Sequence, residues 1–227
     1  MAGSPIDAVI ERMTRIASSL PEADGVARFN DLYLAVTIAV AAQAVADGFE
    51  DPAFLSRLDV AFADRYFAAV DAAASGGPVP QAWAPLFDAR GRRDVAPIQF
   101  ALAGMNAHIN FDLCLAVVDV CQELGIEPDT DSPQHRDYLS VNPILARVQE
   151  DVKRRFESEL LEVADDALGR VDDVIATWSV VRARDAAWTH AEVLWSLRLL
   201  PALSADYTLS IGRIVGLAGR GLLVPTL

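Results

Sequence analysis

Three observations predict an all-α fold, an irregular bundle of seven to nine helices around a buried central helix at about residues 98–124. Proline and glycine recur at positions that open and close helical segments. No stretch alternates polar and apolar residues with the β-branched enrichment of a strand. One run, Phe100 to Val120, is apolar on nearly every side, and a helix of that kind has to be enclosed by others.

The punctuation predicts the elements in order. Ser4 and Pro5 are an N-cap and first helical residue, opening a helix that runs to Leu20 and stops before Pro21. A second runs from about Asp24 to Asp47, with Gly48 after its end. Asp51 and Pro52 repeat the cap-then-proline signature and open a third, which ends at Ser75 before Gly76 and Gly77. Residues 76–98 carry too many breakers for a long element and predict a loop with one helical turn around Trp83. Pro97 opens the central helix, which Gly125 closes. Asp129 to Ser132 form a polar loop, Pro133 starts a further segment, and Asn142-Pro143 kinks or restarts it. From Pro143 to about Leu200 the chain reads as two long helices broken near Gly169, the first charged, the second carrying Trp178, Trp188 and Trp195. Pro201 closes that pair, and a last helix spans roughly Asp206 to Gly219.

With 227 residues and 52% hydrophobic content, one domain over residues 1–227 is expected, without internal repeats or linkers. A formal charge of −13 repels phosphate backbones and anionic bilayer surfaces, so neither nucleic acid nor membrane is an expected partner. Leu32 to Ala46 is too short to span a bilayer, and Phe100 to Val120 contains Asn106, His108, Asn110, Asp112 and Asp119. Cys114 and Cys121 on one helix lie roughly 10 Å apart, beyond disulfide reach, and read as reduced core thiols. The N-terminus has no basic start followed by an apolar stretch, so the cytoplasm is the expected compartment.

The central helix carries the chemistry. At about 100° per residue, Asn106 and Asn110 fall on one side and His108 and Asp112 on roughly the other. Buried polar groups need partners, supplied by other side chains, a ligand or a metal. In one geometry Asp112 accepts from His108 and orients the ring, leaving its second nitrogen for a substrate. The alternative is a set of hydrogen bonds that only knits neighbouring helices together. Asp59, in phase with Leu55, Phe62 and Tyr66, is expected to point inward, and Arg28 at the start of an apolar helix could bring a cation to such carboxylates. Three histidines without HxxxH or ExxH spacing do not support a dinuclear or protease-type metal site, although His108, Asp112 and Asp59 could hold one divalent cation. No Walker A, GxGxxG or GxSxG element occurs, so no cofactor is assigned.

Arg28-Phe29-Asn30-Asp31-Leu32-Tyr33, the stretch from Phe49 to Phe67, Gly104-Met105-Asn106-Ala107-His108-Ile109-Asn110-Phe111-Asp112-Leu113, Ala187-Trp188 and Glu192-Val193-Leu194-Trp195 together resemble the actinobacterial proteins grouped as a domain of unknown function, DUF5995. The likeness runs through nearly the whole chain. It implies a bacterial source and carries no assigned activity, cofactor or catalytic residue.

The residues themselves point to a small-molecule enzyme acting on an apolar metabolite by hydrolysis, isomerisation or cyclisation. His108 is the acid/base and Asp112 its orienter. Arg28, Asp59, Asn110, Tyr66 and Trp188 place the substrate. Three alternatives stay open: a single-metal hydrolase, a non-catalytic ligand carrier, and a structural or homo-oligomeric protein in which the polar helix is only core.

Overall fold

Proline-led caps start helices where the sequence places them. The computed structural model describes residues 4–44, 49–160 and 179–225, and among these every regular element is a helix. α1 (Pro5–Ser19) opens on Ser4, whose backbone N–H donates to Asp7 Oδ2 at 2.7 Å. α2 (Gly25–Ala44) follows. α3 (Pro52–Ser75) starts where Asp51 Oδ1 accepts from the Phe54 N–H at 3.0 Å, and ends on Gly76 at φ 70°, the left-handed conformation that favours glycine. The expected single turn after Trp83 is α4 (Ala84–Ala89). α7 (Pro133–Ser140) is capped by the Ser132 hydroxyl, and α8 (Asn142–Leu160) restarts at Asn142-Pro143. α9 (Val180–Ser196) carries Trp188 and Trp195, while the expected break near Gly169 lies outside the described residues, as does Trp178.

The last helix is longer than its sequence suggests. α10 spans Pro201–Leu222, so Pro201 begins this helix instead of merely closing the one before it. At the first helical position proline loses no intrahelical hydrogen bond, and its fixed φ suits the turn.

The central rod runs from Pro97 to Leu124 as α5 (Pro97–Ala107), a π-helical turn (His108–Asp112) and α6 (Leu113–Leu124). Counting it once, nine helices are present among the described residues. In the π turn the Leu113 N–H reaches back five residues to the His108 carbonyl. α2 and α10 pack on the α5 half, α3 and α9 on the α6 half, and α1 covers α2 and α3. Close approach of α2 to α5 needs Gly104, where a Cβ would sit 2.3 Å from Phe29 Cγ. α10 meets the loop before α4 at Gly216, where a Cβ would come 2.4 Å from the Gln81 carbonyl oxygen.

By length and composition two helices among the described residues could cross a membrane. Of the Pro97–Leu124 stretch 78% is buried inside the bundle, as a core helix requires; of Gly25–Ala42 only 33% is. One large core joins these elements, with Trp83, Trp188, Tyr66 and Tyr138 as its largest enclosed side chains, and a small second cluster gathers Ala96, Ile98 and Leu102. Cys114 and Cys121 are buried free thiols within it, and desolvation pushes both up to about 12, far from the reactive range.

Candidate functional site

The His108 imidazole is fixed on three sides. Its Nδ1 lies 2.9 Å from Asp112 Oδ2, and the Trp83 indole Nε1 donates to the same oxygen at 2.9 Å. An indole N–H can only donate, so Oδ2 is an acceptor, and Nδ1 must bring it a second proton. With Asp112 ionised and the ring neutral, this is the Nδ1–H tautomer, with a bare lone pair on Nε2. Phe62 lies flat on the imidazole at a centroid distance of 3.5 Å, and Tyr33 meets it edge-on at 4.4 Å. Only 2% of the residue is exposed, and burial holds the ring's pKa below the ordinary histidine value, with the hydrogen bond and charge of Asp112 opposing.

Among the described residues Nε2 has no hydrogen-bond partner, although it is buried. His108 also forms part of the wall of a cavity of about 120 Å³ between α2, α3, the central rod, α8 and α9. Val36, Val40, Leu102, Met105, Ile109 and Leu145 supply much of its apolar lining. An orphaned polar atom is uncommon in a protein interior, and here it belongs to a residue of the cavity wall. The buried Trp188 and Trp195 indole N–H groups and Arg65 Nε are likewise unpartnered among the described residues, but none of these residues lines the cavity.

Two charged residues share the cavity. Asp59 makes no hydrogen bond or ion pair among the described residues, and desolvation lifts its pKa to about 6, with the Arg184 charge pulling the other way. Arg184 is buried. Its Nε donates to Asn142 Oδ1 at 2.8 Å, its Nη2 to the Tyr138 carbonyl at 2.6 Å, and its guanidinium lies 3.9 Å over the Tyr138 ring. No carboxylate stands within ion-pair distance of it among the described residues. Nor is any group of three His, Cys, Asp or Glu side chains placed to hold a metal among those residues.

The sequence-derived candidates separate into two sets. His108, Asp59 and the ring of Phe62 meet at the cavity, with Asp112 directly behind His108. Tyr66 is buried behind them, its ring edge-on to Phe29 and its hydroxyl donating to Asn30 Oδ1 at 3.2 Å. Asn110 is on the opposite side of the rod, donating to Asn106 Oδ1 at 3.1 Å, while Asn106 donates to the Val215 carbonyl of α10 at 2.9 Å. That asparagine pair ties helices together. Trp188 packs on Phe54 and Tyr138, away from the cavity. Arg28 lies 3.7 Å from Glu22 in an exposed ion pair, because the first turn of α2 leaves room for its head group to reach water.

Trp83 and Arg184 were not among the residues singled out from sequence. Arg184 had a signal: it is in phase with Ala187, Trp188 and Ala191, all buried, so it lies on the apolar stripe of α9. Trp83 sits in a proline-rich stretch with no periodicity to fix where its indole points.

No functionally curated protein and no solved structure matches the chain. The family model described as a family of unknown function, DUF5995, matches residues 6–225, and the chain belongs to that family.

Proposed function

We propose that the cavity beside His108 binds a small, largely apolar molecule that donates a proton to Nε2, and that proton transfer to this nitrogen is the chemistry of the site. The observation that carries the reading is the unpartnered, buried Nε2 of a histidine whose other nitrogen is held by Asp112. A ligand O–H or N–H would complete its hydrogen bonding. On transfer the proton moves to Nε2, Nδ1–H stays on Asp112, and the imidazolium is balanced by that carboxylate. Arg184, the cationic side chain of the lining, complements negative charge developing on the ligand. Isomerisation, hydrolysis by an activated water, and cyclisation all fit such a step.

Size restricts the ligand. The cavity of about 120 Å³ compares with roughly 150 Å³ for an engineered apolar cavity that admits benzene. A single ring or a short branched chain fits, and a longer molecule would have to extend beyond it.

A second reading, retention without turnover, draws on the burial of His108, since the desolvation that lowers its pKa also opposes the imidazolium. One experiment separates the two. Wild-type protein and His108→Phe, which keeps a flat ring and removes both nitrogens, are incubated with a small-molecule extract of the source cells, and bound and free pools are followed by mass spectrometry. The enzyme reading predicts a low-mass species consumed by wild type and untouched by His108→Phe. A species retained by wild type and unchanged in mass supports the carrier. Equal behaviour of the two proteins in retention and turnover removes the cavity from function.

A further inference from the structure

From Trp195 to Ser210 no residue is buried, yet the stretch includes Leu199, Leu200, Leu203 and Leu209, each more than half exposed. The first turns of α10 project from the bundle, fastened to α9 by the contact between Tyr207 Oη and His190 Nδ1 at 2.7 Å. The outward face continues to the end of the helix, with Leu203 53%, Ile214 67% and Leu217 62% exposed. Its inward face is the row Ile211, Gly212, Val215, Gly216 and Gly219, which packs on the bundle.

The outward positions have a definite period. Leu203, Ser210, Ile214, Leu217 and Gly221, with the half-buried Tyr207 at the inner edge of the row and its hydroxyl on His190 of the same chain, are spaced by alternating steps of four and three, the seam of a two-helix coiled coil, over about 27 Å of helix. Large and small residues along this seam are arranged so that the seam complements itself only when reversed. With two copies of α10 antiparallel about an axis level with Gly212, Leu203 of one copy faces Gly221 of the other, Ile214 faces Ser210, and Tyr207 faces Leu217. In a parallel pair, Gly221 would face Gly221 and Tyr207 would face Tyr207, leaving a void and a clash. Flanking charges agree: the antiparallel arrangement sets Asp206 opposite Arg220 twice, once at each end. Arg213 then lies near its own symmetry mate, exposed and free to turn its head group to water.

We infer that α10 is a homodimerisation helix, pairing antiparallel with α10 of a second copy of this chain through the Leu203, Tyr207, Ser210, Ile214 and Leu217 seam. The site around His108 takes no part in this pairing, so the two readings stand or fall separately.

Sedimentation equilibrium on the full-length chain tests it, with Ile214→Glu/Leu217→Glu and Ser210→Cys/Ile214→Cys as variants and circular dichroism to check helicity. The expected wild-type species has twice the 24.5 kDa chain mass. Glutamates at two exposed seam positions are expected to weaken dimerisation by at least about 100-fold while leaving helicity unchanged. With oxidised glutathione as oxidant, the double-cysteine variant is expected to cross-link between chains, and Ser210→Cys alone is not, because residue 210 faces residue 214. A wild-type chain that stays monomeric at about 100 µM overturns the inference; so does an oligomer unaffected by the glutamates. Cross-linking by Ser210→Cys alone overturns the antiparallel register, and a monomer that instead co-sediments with phosphatidylcholine vesicles replaces the second copy with a bilayer.

Discussion

At the residue scale, His108 and Asp59 occupy one cavity but titrate in opposite senses. Burial keeps the folded His108 ring below its ordinary value of 6.5. The unfolded chain therefore binds the proton first, and its contribution to stability is complete above about 6.5 and is lost as pH falls through the folded value. Asp59 runs the other way: its carboxyl is lifted from 3.8 to about 6. It is protonated in the folded chain where the unfolded chain has already released the proton, so stability is lost as pH rises from 3.8 through about 6. Asp59→Asn is expected to raise the melting temperature at pH 8, equivalent to about 1–2 kcal/mol, and to change it little at pH 4. Equal effects at both pH values, followed by calorimetry, would show that the Asp59 carboxylate is solvated. The inward direction of Asp59 was legible from its phase with Phe62, and the His108–Asp112 contact from their four-residue spacing. The role of Arg28 was not: a first-turn position is compatible with either direction, and only the neighbouring Glu22 decides it.

At the element scale, caps were readable because they are local chemistry. Ser4-Pro5, Asp51-Pro52 and Ser132-Pro133 each begin a helix where those residues stand. The π turn at His108–Asp112 was not readable, since no residue type demands it. Its extra residue rotates α6 by about 100° relative to an unbroken α-helix, so the faces of residues 113–124 could not be projected from those of 98–107. Such turns are frequent at functional sites, and this one holds both members of the His–Asp pair. Helix packing gives a second prediction. At Gly216 an added Cβ would meet a backbone oxygen at 2.4 Å, which cannot swing aside, whereas at Gly212 it meets the Phe111 side chain at 3.3 Å. Gly216→Ala is expected to destabilise by about 2–4 kcal/mol, and Gly212→Ala by about 1 kcal/mol or less. Urea denaturation measures both, and equal losses would mean that α10 can shift on α4.

At the scale of the whole molecule, the bundle encloses one apolar rod and leaves an apolar seam outside. The rod was evident from composition, because Phe100 to Val120 is apolar on nearly every side. The seam went unnoticed because Pro201 reads equally as the end of one helix and the start of the next, and starting α10 at Asp206 removes Leu203 from it. Pairing through that seam would make thermal stability rise with protein concentration, as mass action requires when only folded chains associate. Wild-type melting temperatures are expected to climb between about 1 and 100 µM, while those of Ile214→Glu/Leu217→Glu stay level. The formal charge of −13 works against this association, so the gain is expected to be larger at physiological salt than at low ionic strength.

The central proposal is that His108, in the cavity wall, keeps a neutral ring with an unprotonated Nε2 ready to accept a proton. Nitrogen-15 NMR of the histidine rings, with His108 assigned by its absence in His108→Phe, tests it most directly. The account predicts an unprotonated Nε2 and a protonated Nδ1 at pH 7, persisting below pH 6.5. A ring protonated on Nε2 at pH 7, whether as the other tautomer or as imidazolium, would contradict it, because Nε2 would then have no lone pair to accept a proton.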